Sequence, residues 1–106
     1  MKEVLLERER FELKPKSGGG ILSYEVWGSP QRGGAVVTRY NLAYINHEMH
    51  TGDNGRVLGF DNAHGYHHRH YLGRIEDVEF LSYEATLERF QREWQEIIEV
   101  YRRSKS

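Results

Sequence analysis

Histidine is concentrated in one short stretch of this sequence. Four of the six histidines lie at positions 64, 67, 68 and 70, directly after the pair Asp61-Asn62 and around Arg69. Histidine exchanges protons near neutral pH and is also a common metal ligand. Core packing alone does not explain so many titratable rings in one place. The stretch therefore predicts a site for proton transfer, phosphate contact or metal binding.

The spacing of His68 and His70 suits a β-strand. Side chains two residues apart in a strand project from the same face, roughly 6.6 Å apart, so Arg69 is expected on the opposite face unless the strand is bulged. Two imidazoles at this separation can flank one phosphodiester. One can deprotonate the 2′-hydroxyl of RNA while the other protonates the departing 5′-oxygen. A nearby arginine, here Arg69, can stabilise the charge that develops on phosphorus. This chemistry requires neither a metal nor a cofactor.

The same two histidines also fit two other interpretations. A His-x-His pair can bind zinc, copper or iron(II) when a third ligand joins it, and Asp61 and His64 are the candidates. Alternatively, the two rings make ordinary hydrogen bonds on a half-exposed strand. The residues alone leave all three interpretations open.

Several neighbours of the pair are candidates for roles in the same site. Asp61 can orient a histidine or a substrate hydroxyl, although aspartate here can equally hold a turn. Tyr66 and Tyr71 can stack a base or contact a phosphate, or simply pack. The candidate catalytic residues are His68, His70, Asp61 and Arg69. The candidate substrate-binding residues are Asn62, His64, Tyr66, His67 and Tyr71.

The first three quarters of the chain predict the sheet that would hold this site. Glycine-rich turns lie near residues 17–20, 29–34 and 52–55, and runs rich in β-branched and aromatic residues separate them. This pattern is typical of an antiparallel meander, here of four or five strands over about residues 5–80. The charged first run, Leu5 to Leu13, predicts either an edge strand or a short helix.

The last quarter of the chain changes to helical periodicity. Ser82 can cap a helix N-terminus, and the helix predicted over about residues 82–103 is roughly 33 Å long. Its apolar residues recur at three- and four-residue steps. They are Tyr83, Leu87, Phe90, Trp94, Ile97, Ile98 and Tyr101. We expect this stripe to pack on the sheet rather than on a partner chain, although a homodimer remains open. The predicted fold class is α+β, a single domain over residues 1–106 with the C-terminal helix on one face of the sheet.

Composition restricts the kind of protein further. The chain has 106 residues, no cysteine and a net charge of −1, so disulfides and a strongly basic nucleic-acid footprint are both excluded. Residues 21–75 carry five arginines against four acids, whereas residues 76–106 carry eight acids against five bases. A nucleic-acid site must therefore be a local patch of the central segment. No run of the chain resembles a signal peptide or a membrane helix, which predicts a cytoplasmic protein.

Three segments of the chain resemble the toxin component of TumE-type bacterial toxin–antitoxin systems. They are Tyr40-Asn41-Leu42-Ala43-Tyr44-Ile45, Arg56-Val57-Leu58-Gly59-Phe60-Asp61-Asn62 and His68-Arg69-His70. In that family a strand ending in aromatic-Asp-Asn is followed, after a glycine-containing loop, by His-Arg/Lys-His. The loop here, residues 63–67, lacks the lysine that relatives commonly carry. The resemblance implies a small cytoplasmic growth inhibitor that is encoded beside a helix-turn-helix antitoxin and cleaves RNA.

The resulting hypothesis is a metal-independent ribonuclease toxin in which His68 and His70 act as general base and acid. RNA is its expected substrate and the antitoxin its expected partner. Two alternatives remain. One is a metal-dependent enzyme or metal-binding module, and the other is a growth inhibitor that binds RNA or protein without cleavage.

Overall fold

Six antiparallel strands and one long helix form the described part of the protein. The structure is a computed structural model that describes residues 2–105. The strands follow one another across the sheet in chain order. They are β1 (Val4–Glu12), β2 (Ile21–Gln31), β3 (Gly34–Ile45), β4 (Arg56–Asp61), β5 (His68–Tyr71) and β6 (Arg74–Asp77). The helix, α1, spans Tyr83–Lys105. The α+β class, the antiparallel meander and the C-terminal helix are confirmed, but the expected four or five strands are six.

The sixth strand gives little signal in the sequence. It is only four residues long, it is exposed throughout, and three of its four side chains are charged. The turn before it places Leu72 at φ 49° and Gly73 at φ 84°. Two central residues with positive φ form the tight turn that suits a hairpin, but leucine rarely adopts that conformation. A turn at Leu72 could therefore not be recognised from residue type.

The charged first segment forms an edge strand rather than a helix. β1 pairs with β2 over its length, with a bulge between Leu5 and Glu7. All nine of its residues are exposed. Charged side chains on an edge strand discourage its pairing with another sheet. This explains why so polar a segment can serve as the first strand.

The hydrophobic core lies between α1 and one face of β2, β3 and β4. Phe90 of the helix is fully buried, and its ring meets those of Tyr24 and Phe60 edge-to-face at centroid distances of 5.6 and 6.3 Å. The buried core residues are Leu22, Tyr24, Tyr40, Leu42, Tyr44, Val57, Leu58, Phe60, Phe90 and Ile98. The apolar stripe predicted for the helix therefore packs on the sheet. Within residues 2–105, no helix combines the length and apolar character needed to cross a bilayer.

Ser82 begins the helix as its capping residue. The backbone N–H of Ala85 donates to the Ser82 hydroxyl at 3.0 Å, which satisfies one of the unpaired N–H groups of the first turn. Ser82→Ala is expected to lower the free energy of unfolding by about 1 kcal/mol, measured by urea denaturation. Ser104→Ala, at the exposed helix end, is the control, with an expected change within about 0.5 kcal/mol. Equal losses in the two variants would contradict the capping role.

The face of the sheet opposite the helix is open and carries the polar residues. Because side chains alternate along a strand, the residues next to the core residues in the sequence point away from α1. The register places Asn41 opposite Asp61, and Asp61 opposite His68. In the adjacent row, Gly59 lies opposite His70. The candidate site therefore lies on this open face, across β3, β4 and β5.

Candidate functional site

Asp61 is the centre of the polar cluster on the open face. It ends β4 and is only 8% exposed. One carboxylate oxygen, Oδ2, lies 2.7 Å from Nε2 of His70, and the other, Oδ1, lies 3.5 Å from Nδ1 of His68. The backbone N–H of Ala63 also donates to Oδ1 at 3.1 Å. A single buried carboxylate thus contacts both imidazoles of the His-x-His pair.

The two imidazoles share a face but differ in accessibility. Their ring centroids lie 6.2 Å apart, with an interplanar angle of 71°. The His68 side chain is 20% exposed, whereas that of His70 is 10% exposed. The second nitrogen of His68, Nε2, lies 3.5 Å from a carboxylate oxygen of Asp77, whose side chain is 88% exposed. His68 is therefore the more exposed of the two rings, and its Nε2 faces an exposed side chain rather than a buried one.

Arg56 completes the contacts of His70. Its Nη2 lies 3.1 Å from Nδ1 of His70, while its guanidinium holds Asp53 through two hydrogen bonds of 2.8 and 3.2 Å. Arginine can only donate, so Nδ1 of His70 accepts, and Nε2 carries the proton that His70 donates to Asp61. Nη1 of Arg56 also lies 3.8 Å from the Asp61 carboxylate. Both ring nitrogens of His70 are thus engaged within the protein.

The strand geometry explains how Arg56 reaches this face. Regular alternation would place Arg56 and Asp61, five residues apart, on opposite faces. The register between β3 and β4 shifts, so that Leu58 pairs with Tyr44 while Arg56 pairs with Ile45. The extra residue reverses the direction of the Arg56 side chain. Gly59 then leaves room for it, since a Cβ there would lie 2.8 Å from Cδ of Arg56.

Arg69 lies on the opposite face, among residues of the helix. It donates to Glu93 at 2.9 and 2.6 Å and to Glu76 at 3.3 Å, and its guanidinium carbon lies 5.0 Å from the centroid of the Tyr71 ring. The structure therefore brings neither Arg69 nor Tyr71 to the His68 side of the sheet. Arg69 joins β5 to α1, and Arg56 is the arginine that contacts His70 and Asp61. Sequence reasoning did not single out Arg56, because its position depends on the bulge.

Asn62 joins the ends of two strands. Its side-chain oxygen accepts the backbone N–H of Tyr40 at 3.0 Å, and its side-chain nitrogen donates to the carbonyl of Thr38 at 2.9 Å. These bonds continue the ladder between β3 and β4 past its last residue pair. The amide is therefore occupied by the backbone rather than presented to the open face.

The remaining candidates occupy three different environments. His64 is exposed in a short turn at φ 61°, outside the contacts of Asp61. Tyr66 is 67% exposed, and its ring centroid lies 6.4 Å from that of His68. His67 turns towards the core edge, where its Nδ1 lies 2.9 Å from the hydroxyl of Tyr40 and its ring stacks on Phe80 at 3.9 Å. Only Tyr66 of these three lies beside His68.

The environment of His67 predicts a pH dependence of stability. Burial, together with the charge of His68, lowers the pKa of His67 below its ordinary value of 6.5. The unfolded chain therefore binds a proton at His67 more readily than the folded protein does. The contribution of His67 to the free energy of unfolding is fully present above pH 6.5 and is lost as the pH falls towards the pKa of His67 in the folded protein. His67→Phe keeps a ring that can stack on Phe80 and removes the titration. We expect a smaller loss of stability between pH 7 and pH 5 in this variant than in the wild type, measured by urea denaturation.

The exposed His47 provides the control for this measurement. His47→Phe is expected to leave the pH dependence of the wild type intact. A His67→Phe variant that loses as much stability on acidification as the wild type would show that other groups cause the loss.

No metal ligand set is present in the described part of the chain. Among residues 2–105, no group of three or more His, Asp or Glu side chains is placed to hold a metal ion. Asp61 and His70 instead approach each other at hydrogen-bond distance, as two groups that share a proton do. The arrangement can orient His68 and accept or return a proton at its Nε2, which lies near the exposed Asp77.

Comparison with protein-family models, with curated proteins and with solved structures gives no significant match. The residues of the site and their geometry are therefore the basis for a function. The central features are the buried Asp61, the accessible His68 and the adjacent guanidinium of Arg56.

Proposed function

We propose that this chain is a metal-independent endoribonuclease and the toxin of a toxin–antitoxin pair, as its resemblance to TumE-type toxins implies. One observation carries the proposal. The buried carboxylate of Asp61 contacts the imidazoles of His68 and His70 on an uncovered face of the sheet. A carboxylate that orients an imidazole is a recurrent arrangement for a histidine that moves protons. The resemblance supplies RNA as the substrate.

His68 is the general base in this mechanism. Nδ1 of His68 faces Oδ1 of Asp61 at 3.5 Å, so we assign Nε2, which is near the exposed Asp77, as the nitrogen that takes the proton. Nε2 removes the proton of an RNA 2′-hydroxyl, and the resulting oxygen attacks the adjacent phosphorus. The bond from phosphorus to the 5′-oxygen breaks, that oxygen takes a proton from water, and the hydroxide left behind takes the proton that Nε2 holds. The products are a 2′,3′-cyclic phosphate and a free 5′-hydroxyl.

His70 and Arg56 support this step in different ways. Both nitrogens of His70 are engaged, so we assign it as a positioning residue that holds Asp61 rather than as the general acid. The guanidinium of Arg56 contacts His70 and lies 3.8 Å from Asp61, and we assign it the positive charge that offsets the negative charge of the phosphorane. Arg56 thus takes the role that the sequence suggested for Arg69.

The mechanism makes a specific prediction about the substrate. The purified protein is expected to cut RNA in the presence of EDTA and to leave 2′,3′-cyclic phosphate ends, detected by mass spectrometry of the fragments. A single 2′-deoxy substitution at the cut position should abolish cleavage there, because the nucleophile is missing. The unsubstituted RNA and the same substitution at an uncut position are the controls. Cleavage that stops with EDTA and returns with zinc would support the metal-dependent alternative instead.

The toxin assignment is tested in cells. Induction of this protein alone is expected to stop growth and degrade RNA, and co-expression of the neighbouring helix-turn-helix protein should restore growth. Growth arrest with intact RNA would favour the non-catalytic inhibitor, and unimpaired growth would contradict the toxin assignment.

A further inference from the structure

A concavity of about 290 Å³ adjoins the polar cluster of Asp61, His68 and His70 on the open face. Arg56 lines it and also contacts His70, so the two places are continuous. Ala43 contributes to the concavity and lies opposite Gly59 in the register. Ala43 adds only a methyl group to this lining, whereas the Arg56 side chain lies over Gly59.

Two polar side chains line this concavity without a partner. Among the described residues, neither the hydroxyl of Ser23 nor the amide of Asn41 has a hydrogen-bond partner, and Asn41 is exposed. Asn41 lies directly opposite Asp61 in the sheet, and Asp61 lies opposite His68. Two strand spacings, roughly 10 Å, therefore separate Asn41 from His68, which is within reach of a single nucleotide.

Glu25 supplies an oriented carboxylate beside Asn41. The two residues are opposite each other in the register of β2 and β3. The indole N–H of Trp27 donates to Oε1 of Glu25 at 2.9 Å, and Arg8 donates to Oε2 at 3.3 Å. The Trp27 hydrogen bond is the main cause that lowers the pKa of Glu25. Its carboxylate is therefore an ionised acceptor with a defined direction and remaining lone pairs.

We propose that this concavity binds a guanine base next to the scissile phosphate, with Glu25 accepting its two adjacent N–H groups and Asn41 donating to its carbonyl oxygen. Proteins read RNA sequence chiefly through the hydrogen-bonding edges of unstacked bases. Guanine presents an imino and an amino donor side by side, which matches one carboxylate, whereas uracil presents a single imino donor between two carbonyls. The inference rests on the ribonuclease function proposed above.

Binding of mononucleotides tests the inference without turnover. Titration of the wild-type protein with 3′-guanosine monophosphate and 3′-uridine monophosphate, followed by NMR, is expected to show about tenfold tighter binding of the guanine nucleotide. Glu25→Gln and Asn41→Asp should each bring the two affinities together, since each places the wrong donor or acceptor against guanine. Equal affinities in the wild type would overturn the inference.

Mapping of cleavage sites separates this inference from the proposed function. Wild-type protein should cut next to guanine, and Glu25→Gln and Asn41→Asp should lose this preference about tenfold while still cutting RNA. Gln95→Glu, an amide-to-carboxylate change on the exposed side of α1, is the matched control and should keep the preference. RNA cleavage with the same base preference in all four proteins would overturn the guanine site alone. A wild-type protein that cuts no RNA would overturn the proposed function and this inference with it.

Discussion

His68→Asn is expected to slow RNA cleavage by about 10²- to 10⁴-fold, the usual contribution of a general base. Asparagine still offers an N–H to Asp61, so the support of the site is retained. It lacks the second ring nitrogen, which is the atom that would accept the proton of the 2′-hydroxyl. The measurement is the single-turnover rate of cleavage of a short RNA, together with growth after induction.

The control for this prediction is His47→Asn, the same change at an exposed histidine outside the Asp61 cluster. It should cleave at the wild-type rate. Circular dichroism should show that both variants are folded. If His68→Asn cleaved RNA at the wild-type rate, the catalytic proposal would be wrong. If it lost cleavage but still arrested growth, toxicity would come from binding instead.

Phe90→Ala is expected to lower the free energy of unfolding by about 3–5 kcal/mol. Phe90 is fully buried and is the helix residue whose ring lies edge-to-face between those of Tyr24 and Phe60. Truncation removes the buried apolar surface of the ring and leaves a cavity between α1 and the sheet. Urea denaturation at neutral pH measures the loss, which is a large part of the stability of a domain this small.

Val100→Ala provides the comparison within the same helix. Val100 is 62% exposed, so the loss of its methyl groups should change stability by at most about 0.5 kcal/mol. Similar losses for the two variants would show that the apolar stripe of α1 does not form the hydrophobic core.

Periodicity carried most of the information about the fold that could be obtained from the sequence. The three- and four-residue steps around Phe90 indicated which side of the helix is buried, and Ser82 indicated where the helix begins. Alternation between glycine turns indicated the strands that carry the core. These signals are local, because each depends only on residues close together in the chain. The sixth strand was missed since its turn at Leu72 and its charged residues give no such signal.

The sequence by itself determined that His68 and His70 share a face, because the period of a strand is two residues. Only the tertiary structure decided which groups surround them. A register shift between β3 and β4 turns Arg56 towards His70. The packing of α1 on the sheet places Glu93 where it forms an ion pair with Arg69. Contacts across strands depend on register, and a bulge of one residue reverses the side to which a side chain points. The register between strands and the position of a bulge cannot be determined from the local spacing of residues.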